Sequence, residues 1–267
     1  MKVVETSIVD NVMTITLNDH ERHNSLSFQL LRELRVAIDE AEDNDEVRVV
    51  VVTNSGTTFC AGANLAERSK SNDSEDEDVV EMSEIFQRIR HSPKPFVGRL
   101  AGHCVAGGVG LAAVMDISIA IDTAKFGFTE VRLGVAPAII SVVCLAKMRL
   151  VDAQNTFLRG NRFTAEEAAR LGLITKAVPH EEIDSEIKAI VNDLLAGEPH
   201  ALAVAKQLTT SIGSMAEEEA FAWATRTSAE LFQSAEAREG ISAYLEKRPA
   251  SWVKQLPTDT SFRNESA

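Results

Sequence analysis

Phe59-Cys60-Ala61-Gly62-Ala63-Asn64-Leu65 is a run of small residues set behind a β-branched stretch, Val47–Val52, and a Ser55-Gly56 turn. A stretch so uniformly apolar predicts a strand buried on both faces rather than an alternating surface strand. The small residues after it predict a tight passage from strand into helix. The same pattern returns at Ala101-Gly102-His103-Cys104-Val105-Ala106-Gly107-Gly108, which follows the apolar run Phe96–Leu100. Ile117–Ile121 is a third run of this kind. Strand, glycine turn and helix in alternation is α/β patterning.

Upstream, Val3–Val9 and Val12–Leu17 are β-rich runs separated by Asp10-Asn11, the signature of a hairpin. Ser27 is a helix cap, and Phe28, Leu31, Leu34 and Ile38 give the following helix, to about Glu42, an apolar stripe. Beyond about residue 135 the pattern turns helical. Thr164-Ala-Glu-Glu167 is a capping box and Gly172 a stop, with Lys176–Val178 as a last short strand. Helices are expected over Ile183–Leu195, His200–Ser211, Ala216–Phe232 and Ala235–Glu246. No internal repeat is visible in the residues themselves. The acidic segment 69–78 (SKSNDSEDED) reads as a solvated loop, or more sharply as a lid over a ligand.

The chain has 267 residues and a net charge of −13, from 27 Lys+Arg and 40 Asp+Glu. That balance argues against a nucleic-acid face or an anionic membrane surface, since both need a basic patch. Aromatic residues are scarce (11 Phe, 2 Trp, 1 Tyr), so a base-stacking platform is not expected. The three cysteines form no CxxC pair, and no apolar run is long enough to span a bilayer. A reduced, cytoplasmic protein is the expectation.

There is no G-x-S-x-G elbow, no G-K-[ST] loop and no H-E-x-x-H, and the six histidines do not cluster at metal-ligand spacing. No metal site is expected. The two small-residue turns remain. Each sits where a strand enters a helix and exposes unpaired backbone N–H groups that can grip negative charge. The plain alternative is that small residues simply allow close packing. Donors from two separate turns could form an oxyanion hole for a carbonyl becoming an enolate.

The flanking residues favour the second reading. Phe59-Cys-Ala-Gly-Ala-Asn-Leu65, Ala106-Gly-Gly-Val-Gly-Leu-Ala112, Asp116 and Phe126-Gly-Phe-Thr-Glu-Val-Arg-Leu-Gly134 together resemble the crotonase (enoyl-CoA hydratase/isomerase) superfamily. Asn24-Ser25-Leu26 and Tyr244-Leu-Glu-Lys-Arg248 match it at the expected places. The resemblance runs from about residue 4 to residue 252, and its pattern is closest to methylglutaconyl-CoA-type hydratases. It implies a ββα spiral core over residues 1–197 and a helical region over 198–267 that builds a homotrimer or a dimer of trimers. It also implies an acyl-CoA thioester ligand, with coenzyme A part of the substrate and no separate cofactor.

The resemblance puts the oxyanion-hole donors on the backbone N–H groups of Ala63 and Gly107. Ala61, Gly62, Asn64 and Leu65 fall along the CoA-binding turn, and Arg22 and His23 near the loop facing the CoA phosphates. Tyr244 and Lys247 fall where a neighbouring subunit touches the nucleotide. Hydratases of the usual type carry two glutamates around the double bond. The second lands on Glu130, in an apolar setting that suits proton exchange near neutral pH. The first would fall at Gly110, so one is missing.

Three readings follow. The first is an enoyl-CoA hydratase working through Glu130 alone, where a glycine at 110 leaves room for a β-branched acyl chain. The second is a Δ3,Δ2-enoyl-CoA isomerase with a single proton-shuttling glutamate. The third is an acyl-CoA-binding scaffold with little turnover. His103, Cys60, Cys104 and Cys144 are read as packing residues.

Overall fold

Asp10 and Asn11 both adopt left-handed backbone angles, with φ of 48° and 68°. A two-residue hairpin turn whose twist matches its strands needs such angles, which Asp and Asn tolerate best. The strands it joins, Val4–Val9 and Val12–Leu17, pair antiparallel in full register from Val4↔Leu17 to Val9↔Val12. In the computed structural model described here, which covers residues 2–69, 80–257 and 260–262, this hairpin forms one edge of a six-stranded sheet. The acidic run expected as a loop or lid lies outside these residues, apart from Ser69.

The sheet continues in parallel through Val49–Asn54, Phe96–Leu100, Ile117–Ile121 and Lys176–Val178. Every residue of Val49–Asn54 is buried, as its uniform apolar character requires. That strand starts and ends two residues later than the apolar run suggests. Its last residues, Thr53 and Asn54, pair with Thr16 and Leu17 although their side chains are polar. A second sheet takes the short strands Thr58–Cys60, His103–Val105, Lys125–Gly127 and Arg162–Thr164, the last pair antiparallel.

The two sheets reveal a repeat that the residues conceal. Three times the chain runs a strand through the large sheet, turns, adds a short strand to the small sheet and passes into a helical turn. Val49–Asn54 leads to Thr58–Cys60, Phe96–Leu100 to His103–Val105, and Ile117–Ile121 to Lys125–Gly127. This is the expected ββα spiral.

Ser27 caps the Phe28–Asp43 helix, its Oγ accepting from Leu30 N–H at 3.2 Å. Leu30, Leu31, Leu34, Ala37, Ile38 and Ala41 form its buried face, with Phe28 only partly covered. Thr164 caps the Ala165–Arg170 helix in the same way, through Glu167 N–H. The helices Ile183–Ala196, Pro199–Ser211, Glu217–Gln233 and Ala235–Glu246 fall within a residue or so of their expected bounds. The Leu150–Arg159 helix was not anticipated, because its exposed Leu150, Val151 and Leu158 blur the apolar period.

Lys206 ties the Pro199–Ser211 helix to the spiral. Its Nζ lies 2.8 Å from the Asp116 carboxylate, donates to the carbonyls of Ile89 and Lys94, and sits over the Phe96 ring.

Candidate active site

Gly62 and Gly107 bring the two small-residue turns into contact. Gly62 has a φ of +85°, and a Cβ there would lie 2.8 Å from the Gly107 amide nitrogen and 2.9 Å from the Ala106 methyl. A Cβ on Gly108 would fall 2.0 Å from the Cys60 carbonyl oxygen. Only glycine lets these backbones approach so closely. Ala106, which caps the Gly107–Val114 helix, holds a strained φ of 51° and donates its N–H to Gly127 at 2.8 Å. Gly107 therefore begins a helix with its amide free, as the first helical amides must be.

The first turn is braced from upstream. Buried Asn24 donates to the carbonyls of Thr58 (2.7 Å) and Ser55 (3.2 Å) and accepts from Asp19 N–H (2.7 Å). Ala61 N–H donates to His23 at 3.1 Å, and Leu26 N–H to Gly62 at 2.8 Å. Among the described residues neither Ala63 N–H nor Gly107 N–H has an acceptor.

Ala63 and Gly107 both border a cavity of about 390 Å³ that Glu130 also lines. Thr129, Leu133, Val135, Ile139, Ile140 and Met82 line it as well. Glu130 begins a single helical turn, Glu130–Leu133, whose end is closed by Gly134 at φ +79°. Its Oε2 is buried and has no hydrogen-bond partner among the described residues. Burial raises the pKa of this carboxyl group, opposed in part by a backbone hydrogen bond. Two residues with unpaired amides and one carboxylate with an unpaired oxygen thus line a mostly apolar space. Such an arrangement can hold an oxygen that gains charge while a base moves a proton nearby.

Gly110 corrects one expectation. No room is left beside it, because a Cβ there would lie 2.5 Å from Ile140 Cγ2, 2.8 Å from Ile140 Cβ and 2.9 Å from Phe86 Cε2. The position of the absent glutamate is filled by a neighbour's aliphatic side chain.

The other candidates divide. Ala61 and Leu65 line the cavity with Ala63. Asn64 caps the short Leu65–Arg68 helix, accepting from Ala66 and Glu67 N–H. His23 has a φ of 56° and adjoins the first turn through its carbonyl. Arg22 is exposed, 3.6 Å from Asp19. Tyr244 is 82% exposed and Lys247 ends its helix at φ 54°; neither lines the cavity of its own chain.

His103 accepts from Lys125 N–H through Nδ1, and burial lowers its pKa. Burial pushes the Cys60 and Cys144 thiols up to about 12 and Cys104 well above its ordinary value. All four are poor candidates for chemistry.

Met82 and the Val135–Ile140 stretch were missed as site residues. The signal for Val135–Ile140, an apolar run directly after Glu130-Val-Arg-Leu-Gly134, reads equally as core, and Met82 carries none of its own. A larger cavity of about 500 Å³, bordered by Arg90, Lys147 and Lys206, meets neither turn nor Glu130. Size does not mark the site.

Among the described residues no three His, Cys, Asp or Glu side chains stand together as metal ligands, and no helix is long and apolar enough to cross a membrane.

Comparison with known proteins names the class to which this fold and its two apposed turns belong. A family model described as Enoyl-CoA hydratase/isomerase matches residues 7–255, and the chain belongs to that family. A Thermus thermophilus protein whose name places it provisionally among the enoyl-CoA hydratases is 34% identical over 243 residues, 90% of this chain and 96% of that protein. The short-chain-enoyl-CoA hydratase of Clostridium acetobutylicum is 28% identical, covering 91% of this chain and 94% of that protein. The crystal structure of an enoyl-CoA hydratase from Mycobacterium smegmatis superposes with a TM-score of 0.87 at 28% identity, over 94% of this chain and 99% of that one. The crotonase fold is shown.

Proposed function

We propose that this chain is an enoyl-CoA hydratase whose single catalytic carboxylate is Glu130. The thioester oxygen lies between the Ala63 and Gly107 amides. CoA runs along the Ala61–Leu65 turn, with Gly62 and Asn64 shaping that turn and Arg22 and His23 toward the phosphates. No cofactor is needed beyond the CoA of the substrate, and the cytoplasm is the setting. The observation that carries this reading is that Glu130, whose buried Oε2 is unpaired, lines one cavity with Ala63 and Gly107, whose amides are unpaired.

Glu130 takes a proton from water as the hydroxide oxygen bonds to C3. The C2–C3 π electrons move toward the thioester, whose oxygen gains negative charge against the two amides. The proton on Glu130 then passes to C2, the carbonyl re-forms and the carboxylate is restored. Water is consumed and nothing else is released.

Residues 198–267 form the oligomerisation region of a homotrimer or a dimer of trimers. Exposed Phe221, Phe232 and Leu245 support that reading, since apolar side chains spaced along helices seek a partner. In such an assembly Tyr244 and Lys247 reach a neighbour's nucleotide.

The aliphatic Ile140 beside Gly110 favours a second reading, Δ3,Δ2-isomerisation, which needs one carboxylate and no water. Absorbance of the conjugated thioester separates the two. Loss with short 2-enoyl-CoAs supports hydration, and gain with 3-enoyl-CoAs supports isomerisation. Tight CoA-ester binding with neither change overturns both and leaves a scaffold.

A further inference from the structure

Ile140 lines the Glu130 cavity and meets Phe86 over Gly110. Phe86 in turn lines a second cavity of about 200 Å³ with Val142, Val143, Ser83, Gln87 and Arg90. Ile139, the next residue, borders both. Ile140 is 1% exposed and packs directly on helix backbone, because Gly110 offers no side chain to hold it off. A β-branched side chain wedged in this way has little rotamer freedom.

We propose that Ile140 determines acyl-group specificity: seated on Gly110 beside Phe86, it is the partition that ends the acyl cavity at Glu130 and keeps the second apolar cavity closed to substrate. The inference rests on the acyl-CoA reading of that cavity. It names the pair 110/140 as one unit, a missing side chain on one helix answered by a bulky one on the next. The acyl group that fits is short and unbranched at C3. Shortening Ile140 extends the acyl cavity toward Phe86 and the second cavity behind it, and admits longer or branched acyl chains.

The test uses saturated acyl-CoAs, which cannot react, so that it reads pocket shape without turnover. Calorimetric titration of the full chain, Ile140→Val and Ile140→Ala with butyryl-, isovaleryl- and octanoyl-CoA, and with free CoA, gives the selectivity of each. The unaltered protein should prefer butyryl-CoA over the other two by at least about tenfold, the order expected where a pocket rejects extra methylenes. Ile140→Ala should bring that ratio to within about threefold, with Ile140→Val intermediate and free CoA unchanged. Equal selectivity in all three chains overturns the proposal. Should Ile140→Ala fail to fold, as judged by circular dichroism, the Ile140→Val ratio decides. Failure of every chain to bind any acyl-CoA overturns the acyl-CoA reading itself, and the partition with it; binding without selectivity overturns the partition alone.

Discussion

Gly62 and Gly107 touch backbone to backbone, the Gly62 Cα lying 3.3 Å from where a Gly107 Cβ would be. The distance between the Ala63 and Gly107 amides is therefore set by two glycines, not by the residues that carry the donors. Gly62→Ala adds a methyl group 2.8 Å from the Gly107 nitrogen at a φ of +85°, and so must push the turns apart. Loss of one oxyanion donor typically lowers kcat by about 10²–10³. A fall of that order in steady-state rate, with CoA-ester binding nearly kept, is expected; an unchanged kcat would remove the amide pair from the mechanism.

Glu130→Gln keeps shape and removes the base. Turnover should drop by at least ~10²-fold. Burial raises the carboxyl pKa, so in the unaltered protein activity should fall with acid at a pH higher than an ordinary glutamate would dictate. The same shift acts on stability. A carboxyl whose folded pKa is raised stabilises the fold below its unfolded pKa, and that contribution is lost as pH rises through the folded value. Glu130→Gln should therefore melt higher than the unaltered chain at neutral pH and lose this advantage in acid. Thermal scans across the acid range check the sign.

Gly110→Ala places a methyl group 2.5 Å from Ile140 Cγ2. Overpacking of this kind costs about 1–3 kcal/mol. Denaturant unfolding of Gly110→Ala, Ile140→Ala and the double variant should show coupling, the double being more stable than the sum of the singles requires. Additive losses would mean that the two positions do not share one space.

Lys206 and Asp116 are a mostly covered pair 2.8 Å apart. Lys206→Met leaves the Asp116 carboxylate and the carbonyls of Ile89 and Lys94 without their cation. Breaking a buried pair from one side costs about 3–5 kcal/mol. Urea denaturation should show a loss of that order, and Asp116→Asn combined with Lys206→Met should recover part of it.

The periods and caps that make single elements were legible. Asp10-Asn11, Ser27 and Thr164 act through neighbours a few residues away, and each behaves as its local chemistry requires. The candidate site was partly legible for the same reason. Small residues behind buried strands and the Glu130 stretch can be read in one dimension. The wall facing them cannot, because Val135–Ile140 has the composition of ordinary core. The ββα repeat escaped notice for a related reason, since its units share geometry and not residues.

By itself the sequence determined the hairpin, the strands of the large sheet and most of the helices, since hydrophobic period, capping and backbone freedom act over a few residues; the short strands of the second sheet were set by their partners. It also determined that Glu130 is the candidate carboxylate and that its usual partner is absent at Gly110. Tertiary structure alone decided what occupies the vacant place. An empty position 110 suggested a roomier pocket, yet Ile140, thirty residues away, closes on it because close-packed interiors leave few gaps unfilled.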